Sequence, residues 1–184
     1  MKPLRVVFTG GAAGAWRIDR LDAVVGDSLA PPPRLAVLEG DEAPPPVEAC
    51  WVLRGVTTNE RYVNRAEQAA LAMRQQGLGR VEATLAALIP IRKSEAWWEL
   101  TQEERREIFE KRSRHIATGL EYLPAVARRL YHSRDLGEPF DFLTWFEYAP
   151  DHAGLFEELV VRLRHTEEWT YVEREVDIRL VLEA

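Results

Sequence analysis

The chain has 184 residues, of which 46% are hydrophobic and 29% are charged, and its formal net charge is −6. This composition is typical of a folded globular protein, and the acidic balance argues against nucleic acid as a general partner. The single cysteine, Cys50, excludes an internal disulfide framework and fits a reducing compartment. We find no secretory signal and no apolar run of about 18 residues that would span a membrane, so we expect a cytoplasmic protein.

The N-terminal third is predicted to consist of short strands and surface loops. Proline triplets at 31–33 and 44–46 mark two of the loops. The predicted strands are RVVFTG, RLAVLEG and CWVLRGV. The glycine-rich stretch TGGAAGA lacks the helix that a dinucleotide-binding motif needs directly after it, so it predicts a turn.

The pattern changes near residue 59. NERYVNRAEQAALAMRQQG has helical spacing and stops at Gly77, and EATLAALIPIR then has the length and apolar content of a buried strand. LTQEERREIFEKRSRHIATG predicts a helix that begins at a capping box, Thr101 with Glu104, and ends at Gly119.

The last third alternates clearly between strand and helix patterns. AVARRLYHS predicts a strand, RDLGEP a turn and FDFLTWFEY a half-buried strand. HAGLFEELVVRLR predicts a helix with Leu155, Leu159 and Leu163 on its buried face. YVEREVDIRLVL alternates apolar residues with Glu173, Glu175, Asp177 and Arg179, which predicts a final half-buried strand.

From about residue 82 the predicted order is strand, helix, strand, strand, helix, strand. This is the order of the ferredoxin-like unit. We therefore predict an α+β fold with a shortened N-terminal half over residues 1–81 and a C-terminal ferredoxin-like half over residues 82–184.

Three polar residues have unusual places in these patterns. His115 lies two helical turns after Ile108, on or beside an apolar face, where a satisfied core histidine and a ligand are both possible. Arg128 and Arg129 are adjacent in a strand, so one of them must point to the apolar side. Burying a guanidinium is costly unless it meets an anion, which leaves a salt bridge and an anion-binding arginine as alternatives.

Two further groups are informative only in combination. Lys93 precedes the tryptophan pair Trp97 and Trp98. Tryptophan pairs usually lie in a core or an interface, but a lysine beside such a pair could hold a carboxylate. Glu168 precedes the last strand and by itself is an ordinary surface acid. The other histidines lack the spacing of a zinc or non-haem iron site.

Taken together, these stretches resemble the chlorite dismutases, specifically their short, dimeric lineage. The resemblance runs from about Trp51 to Leu180, and FTGGAAGAW is its clearest piece in the N-terminal third. It is specific because it includes the lysine with two tryptophans, the histidine, the arginine and the glutamate in order. The stretches that carry it are IRKSEAWWELT, EERREIFEKRSRHI, YLPAVARRLYHSRDLGEPFDFLTWFEYAP and TEEWTYVEREVDIRL.

The resemblance implies two ferredoxin-like halves that form a β-barrel holding haem b, in a homodimer. It implies that His115 binds the iron, that Glu168 accepts a hydrogen bond from the other ring nitrogen, and that Arg128 lies on the distal side. Positions at the haem edge or propionates match Lys93, Trp97 and Tyr62, and a distal glutamine matches Gln75, with Gln76 as the alternative.

The implied reaction converts chlorite to chloride and dioxygen. Arg128 would hold the hypochlorite fragment near the ferric haem until the O–O bond forms, and would attract a small anion to an acidic protein. Three alternatives remain: a coproheme decarboxylase, whose distal position is typically glutamine; a dye-decolourising peroxidase, with a distal aspartate on a longer chain; and a non-enzymatic haem-binding protein.

Overall fold

Eight antiparallel strands close into one barrel in the computed structural model, which describes residues 3–40, 48–57 and 77–183. Around the barrel the strands follow the order β1-β3-β2-β8-β5-β7-β6-β4. The strands are β1 (Arg5–Gly11), β2 (Trp16–Val25), β3 (Arg34–Glu39), β4 (Trp51–Val56), β5 (Leu85–Lys93), β6 (Val126–His132), β7 (Phe142–Tyr148) and β8 (Val172–Leu182). The predicted α+β class and the barrel are therefore confirmed.

The barrel has an internal symmetry in its strand order. The first four strands lie side by side as β4-β1-β3-β2 and the last four as β8-β5-β7-β6, so each set has the order fourth, first, third, second. This agreement supports two related halves, although the boundary between residues 81 and 82 stays a prediction.

One strand was not predicted. β2 (WRIDRLDAVV) carries too many charged residues for a clear apolar alternation, and most of its side chains are exposed or half-buried. It forms because its backbone pairs with β8 over most of its length, with two register shifts. The helix predicted after residue 59 lies outside the described residues, as do Tyr62, Gln75 and Gln76.

Four α-helices lie among the described residues, and none of these is long and apolar enough to cross a bilayer. They are α1 (Glu95–Glu99), α2 (Gln102–Arg106), α3 (His115–Glu121) and α4 (Ala153–Arg164). A π-helical turn covers Glu107–Arg112, and short 3₁₀ turns cover Arg134–Leu136, Pro150–His152 and Glu167–Tyr171.

The single helix predicted from Thr101 to Gly119 is correct only at its start. Thr101 and Glu104 form the predicted capping box, with each side chain bonded to the other's backbone N–H. The helix then widens into the π-helical turn and breaks at Arg114, whose φ of 49° lies in the left-handed region. Gly119 does not end a helix, because α3 continues to Glu121.

Two apolar layers hold the molecule together. The inner layer fills the barrel with side chains from all eight strands, among them Phe8, Trp16 and Trp145. The outer layer lies between the outside of β5, β7 and β6 and the buried face of α4, which carries Phe156, Leu159, Val160 and Leu163. Leu155, predicted on that face, is exposed instead.

The half-buried alternation predicted for the last two strands was wrong, because the second face of each is covered as well. Asp141 and Glu147 of the β7 segment are buried, and so are Glu175, Asp177 and Arg179 of β8. The β8 charges are tolerated because they meet partners: Arg164 of α4 bonds Glu175 at 2.8 Å and Asp177 at 2.8 Å. Packing of α4 on β8 thus buries charges whose spacing suggests solvent exposure.

Candidate functional site

The site is built around the imidazole of His115, the first residue of α3. The left-handed Arg114 ends the preceding π-helical turn and lets the chain turn into α3. His115 Nδ1 lies 2.8 Å from Glu168 Oε2, and its ring stacks on Phe109 at 4.4 Å. When Nδ1 donates to the carboxylate, the proton is held there and Nε2 carries the lone pair. Nε2 makes no hydrogen bond to any residue that the structure describes.

Lys93, the last residue of β5, is directed at the same carboxylate. Its Nζ donates to Glu168 Oε1 at 2.8 Å and to the Glu168 carbonyl oxygen at 3.1 Å, and it lies 4.6 Å from the ring centre of Trp97. The expected place of Lys93 at the edge of a cofactor stays a prediction beside this contact. The lysine supplies positive charge to the carboxylate behind the histidine.

Glu168 is fixed at every polar atom. Its side chain bonds His115 and Lys93, its carbonyl accepts from Lys93, and its backbone N–H donates to Ser113 Oγ at 3.0 Å. Burial by itself raises the pKa of Glu168, but the charges and hydrogen bonds of His115 and Lys93 outweigh burial and hold this pKa at about 2. The carboxylate therefore stays ionised and keeps the imidazole in one orientation.

Ser113 was not among the residues predicted for the site. Its hydroxyl meets Glu168 across 55 positions of the chain, and both residues are buried. No local pattern signals such a contact, because a serine beside a helix end is commonplace in proteins.

The two adjacent arginines separate to opposite faces of β6. Arg129 Nη1 bonds Glu39 Oε1 of β3 at 2.6 Å, so this arginine takes the salt-bridge alternative. Arg128 pairs in register with Phe146 of β7 and points outward, towards α3. Its guanidinium packs against Gly119, one turn beyond His115 on the same helix. Burial lowers the pKa of Arg128, and the nearby charge of Glu110 partly offsets that effect.

The outer face of the sheet around Arg128 is apolar. Leu130 pairs with Thr144, which in turn pairs with Ile89, and these three share their face with Arg128 and Phe146. Leu130 is 45% exposed on this face. A cation beside exposed apolar surface, near a helix that carries a histidine, can bind a flat apolar group together with a small anion.

The two tryptophans, Trp97 and Trp98, lie in different surroundings. Trp97 is buried, and its Nε1 donor has no hydrogen-bond partner among the described residues. Trp98 is partly exposed, with the Arg134 guanidinium 3.7 Å above its ring and Phe142 stacked beside it. A buried N–H without an acceptor is uncommon in proteins, so Trp97 Nε1 is a candidate donor to a bound group.

Comparison with known proteins gives consistent results. A family model described as chlorite dismutase matches residues 42–181. A curated chlorite dismutase of Ideonella dechloratans is 37% identical over 86 residues, which cover 47% of this chain and only 28% of that relative.

Solved structures match over nearly the whole chain. A dimeric chlorite dismutase from Nitrobacter winogradskyi is 62% identical, with a TM-score of 0.90 and coverage of 97% of this chain and 99% of that one. A mutant chlorite dismutase from Candidatus Nitrospira defluvii in complex with cyanide is 17% identical, with a TM-score of 0.65 and coverage of 98% and 91%. The second likeness is one of fold alone.

Proposed function

Because the chain belongs to the chlorite dismutase family, we propose that it is a haem b enzyme that converts chlorite to chloride and dioxygen. The observation that carries the proposal is the cluster His115–Glu168–Lys93. It holds an imidazole with Nδ1 on a buried carboxylate, and Nε2 makes no hydrogen bond to the described part of the chain. Histidines that bind metals in proteins are held in this way.

The residues of the site fit a haem. His115 supplies a nitrogen ligand, and the exposed Leu130 on the same sheet face as Arg128 offers apolar surface to a flat macrocycle. Trp97 Nε1 is a buried donor without an acceptor in residues 3–40, 48–57 and 77–183, as expected of a residue that bonds a propionate. The other expected contacts, those of Tyr62, Gln75 and Lys93, stay predictions, and Lys93 also bonds Glu168.

When bound, the haem iron supplies the redox chemistry that breaks and remakes bonds to oxygen. The protein determines how strongly its histidine ligand donates electrons to the iron and which charges surround the haem. Glu168 accepts a hydrogen bond from the Nδ1–H group of His115, which makes the imidazole a stronger electron donor to the iron. Lys93 neutralises part of the Glu168 charge, so this donation is moderated.

Arg128 supplies the positive charge for the substrate. It comes from the apolar sheet face and points towards the helix that carries His115. In a partly buried, apolar setting a guanidinium attracts a chlorine oxyanion more strongly than it does in water. We propose that Arg128 holds the hypochlorite fragment until the O–O bond has formed.

The likeness to a dimeric chlorite dismutase supports a homodimer for this chain as well. A cytoplasmic location stays a prediction.

The test is oxygen evolution by the purified chain after reconstitution with haem b. We expect one dioxygen per chlorite on an oxygen electrode, and a matched Arg128→Ala variant separates this activity from that of protein-bound haem in general. A stable haem spectrum without oxygen evolution would refute the reaction. It would favour a peroxidase, a decarboxylase or a haem-binding protein, while leaving the assignment of His115 intact.

A further inference from the structure

The backbone conformation at Gly119 does not require glycine. It lies inside α3 and is absent from the glycines with positive φ among the described residues, so its conformation is one that alanine adopts readily. Glycine within a helix is less favourable than alanine by about 1 kcal/mol. The position therefore carries a residue that weakens the helix, and the explanation must lie in the space around it.

That space is filled by Arg128. A Cβ atom built on Gly119 would lie 2.5 Å from Arg128 Nη1, 2.7 Å from Cζ and 2.9 Å from Nη2. All three distances are shorter than real Cβ contacts, and all three atoms belong to one guanidinium. With any side chain at this position, the flexible end of Arg128 would have to move.

We propose that Gly119 is a positioning residue: the missing side chain leaves the space in which the Arg128 guanidinium lies, and so determines where the substrate-binding cation points. This inference rests on the proposed function of Arg128. The placement is consistent with the fold, because Gly119 follows His115 by four residues and shares its helix face. One face of α3 thus carries the imidazole and seats the guanidinium one turn further along.

Charge and shape act on the guanidinium in different ways. Glu110 of the π-helical turn is close enough to favour the charged form of Arg128, but it lies on a different element from Gly119. The contact with Gly119 is steric, and it acts on the position of the guanidinium rather than on its charge.

The decisive comparison uses Gly119→Ala and Gly154→Ala. Gly154 is the other glycine in a described helix, and a Cβ built on it would meet nothing within 4 Å. We expect Gly154→Ala to raise the urea midpoint of the full chain. Gly119→Ala is expected to raise the midpoint less, or to lower it, because the added methyl group displaces Arg128.

A double-mutant cycle with Arg128→Ala isolates the contact. In the Arg128→Ala background, Gly119→Ala is expected to raise the urea midpoint more than it does in the parent, because the methyl group then meets no guanidinium. An equal shift in both backgrounds would overturn the inference. If Gly119→Ala alone fails to fold, recovery of folding in the double variant supports the inference, and continued failure overturns it.

The second readout is fluoride binding to the haem-loaded chain, followed by the absorption spectrum. We expect Gly119→Ala to weaken fluoride binding about tenfold, as partial loss of a charge-assisted hydrogen bond would, and Gly154→Ala to leave it unchanged. Unchanged affinity in Gly119→Ala, together with weakened affinity in Arg128→Ala, would overturn the positioning role. Unchanged affinity in Arg128→Ala would instead refute the proposed function of that arginine, while the urea cycle alone would still decide whether Gly119 sets its position.

Discussion

Lys93→Met removes the ammonium from the buried cluster while keeping a side chain of similar length. Lys93 and Glu168 have side chains that are 3% and 6% exposed, and the ammonium makes two contacts with Glu168. Removing one partner of a buried ion pair typically costs about 3–5 kcal/mol. The pKa of Glu168, about 2 instead of 4.5, corresponds to about 3 kcal/mol of preference for the carboxylate, and His115 and Lys93 supply this preference together against the cost of burial. We therefore expect a loss of about 3 kcal/mol at pH 7.

The loss should depend on pH in a defined direction. In the parent, the folded-state pKa of Glu168 is depressed, so its stabilising contribution is fully present above pH 4.5 and is lost as the pH falls through about 2. Without the ammonium, burial favours the neutral acid and raises the pKa of Glu168. The difference in stability between parent and variant should therefore shrink as the pH is lowered from 7 to 4.

Urea unfolding of the full chain, followed by tryptophan fluorescence at both pH values, measures this difference. Lys111→Met is the matched control, because Lys111 is exposed and its replacement should change stability by less than about 0.5 kcal/mol. A loss below about 1 kcal/mol at pH 7, or a loss that is the same at pH 4, would show that Lys93 does not stabilise the Glu168 carboxylate.

Four further substitutions test the site. His115→Ala should abolish most haem binding in a spectroscopic titration, and normal retention of haem would remove its role as the ligand. Arg128→Ala should retain haem but release hypochlorite, which a chlorination trap detects; a trap signal equal to that of the parent would contradict the substrate-holding role. Glu168→Gln should raise the reduction potential of the bound iron, because a neutral amide makes His115 a weaker donor, and spectroelectrochemistry would reveal an unchanged potential if this is wrong. Trp97→Phe should weaken haem affinity about tenfold through the loss of one charge-assisted hydrogen bond, whereas unaltered affinity would mean that Nε1 does not face a propionate.

The candidate residues could be named from the sequence, but their contacts could not. His115, Arg128 and Glu168 were identified through a family resemblance that depends on their order along the chain. The ion pair of Lys93 with Glu168, across 75 positions of the chain, was not predicted. Contacts between residues so far apart follow from how β5 and the turn before β8 meet in the folded barrel.

Gly119 illustrates the same limit on a helix. In the sequence, a glycine after a run of helical residues predicts the end of that helix. In the structure the break occurs earlier, at Arg114, and Gly119 lies within the next helix against Arg128. Local propensity cannot distinguish a glycine that ends a helix from one that makes room for another side chain.

By itself, the sequence determined most of the strands, the capping box at Thr101 and the α+β class, because these depend on short-range periodicity and local hydrogen bonds. Only the tertiary structure decided which faces are covered. The alternating charges of β8 predict a solvent-facing side, yet Glu175 and Asp177 are buried against Arg164 of α4. A period of two residues shows which side chains share a face, whereas burial of that face depends on what packs against it from a distant part of the chain.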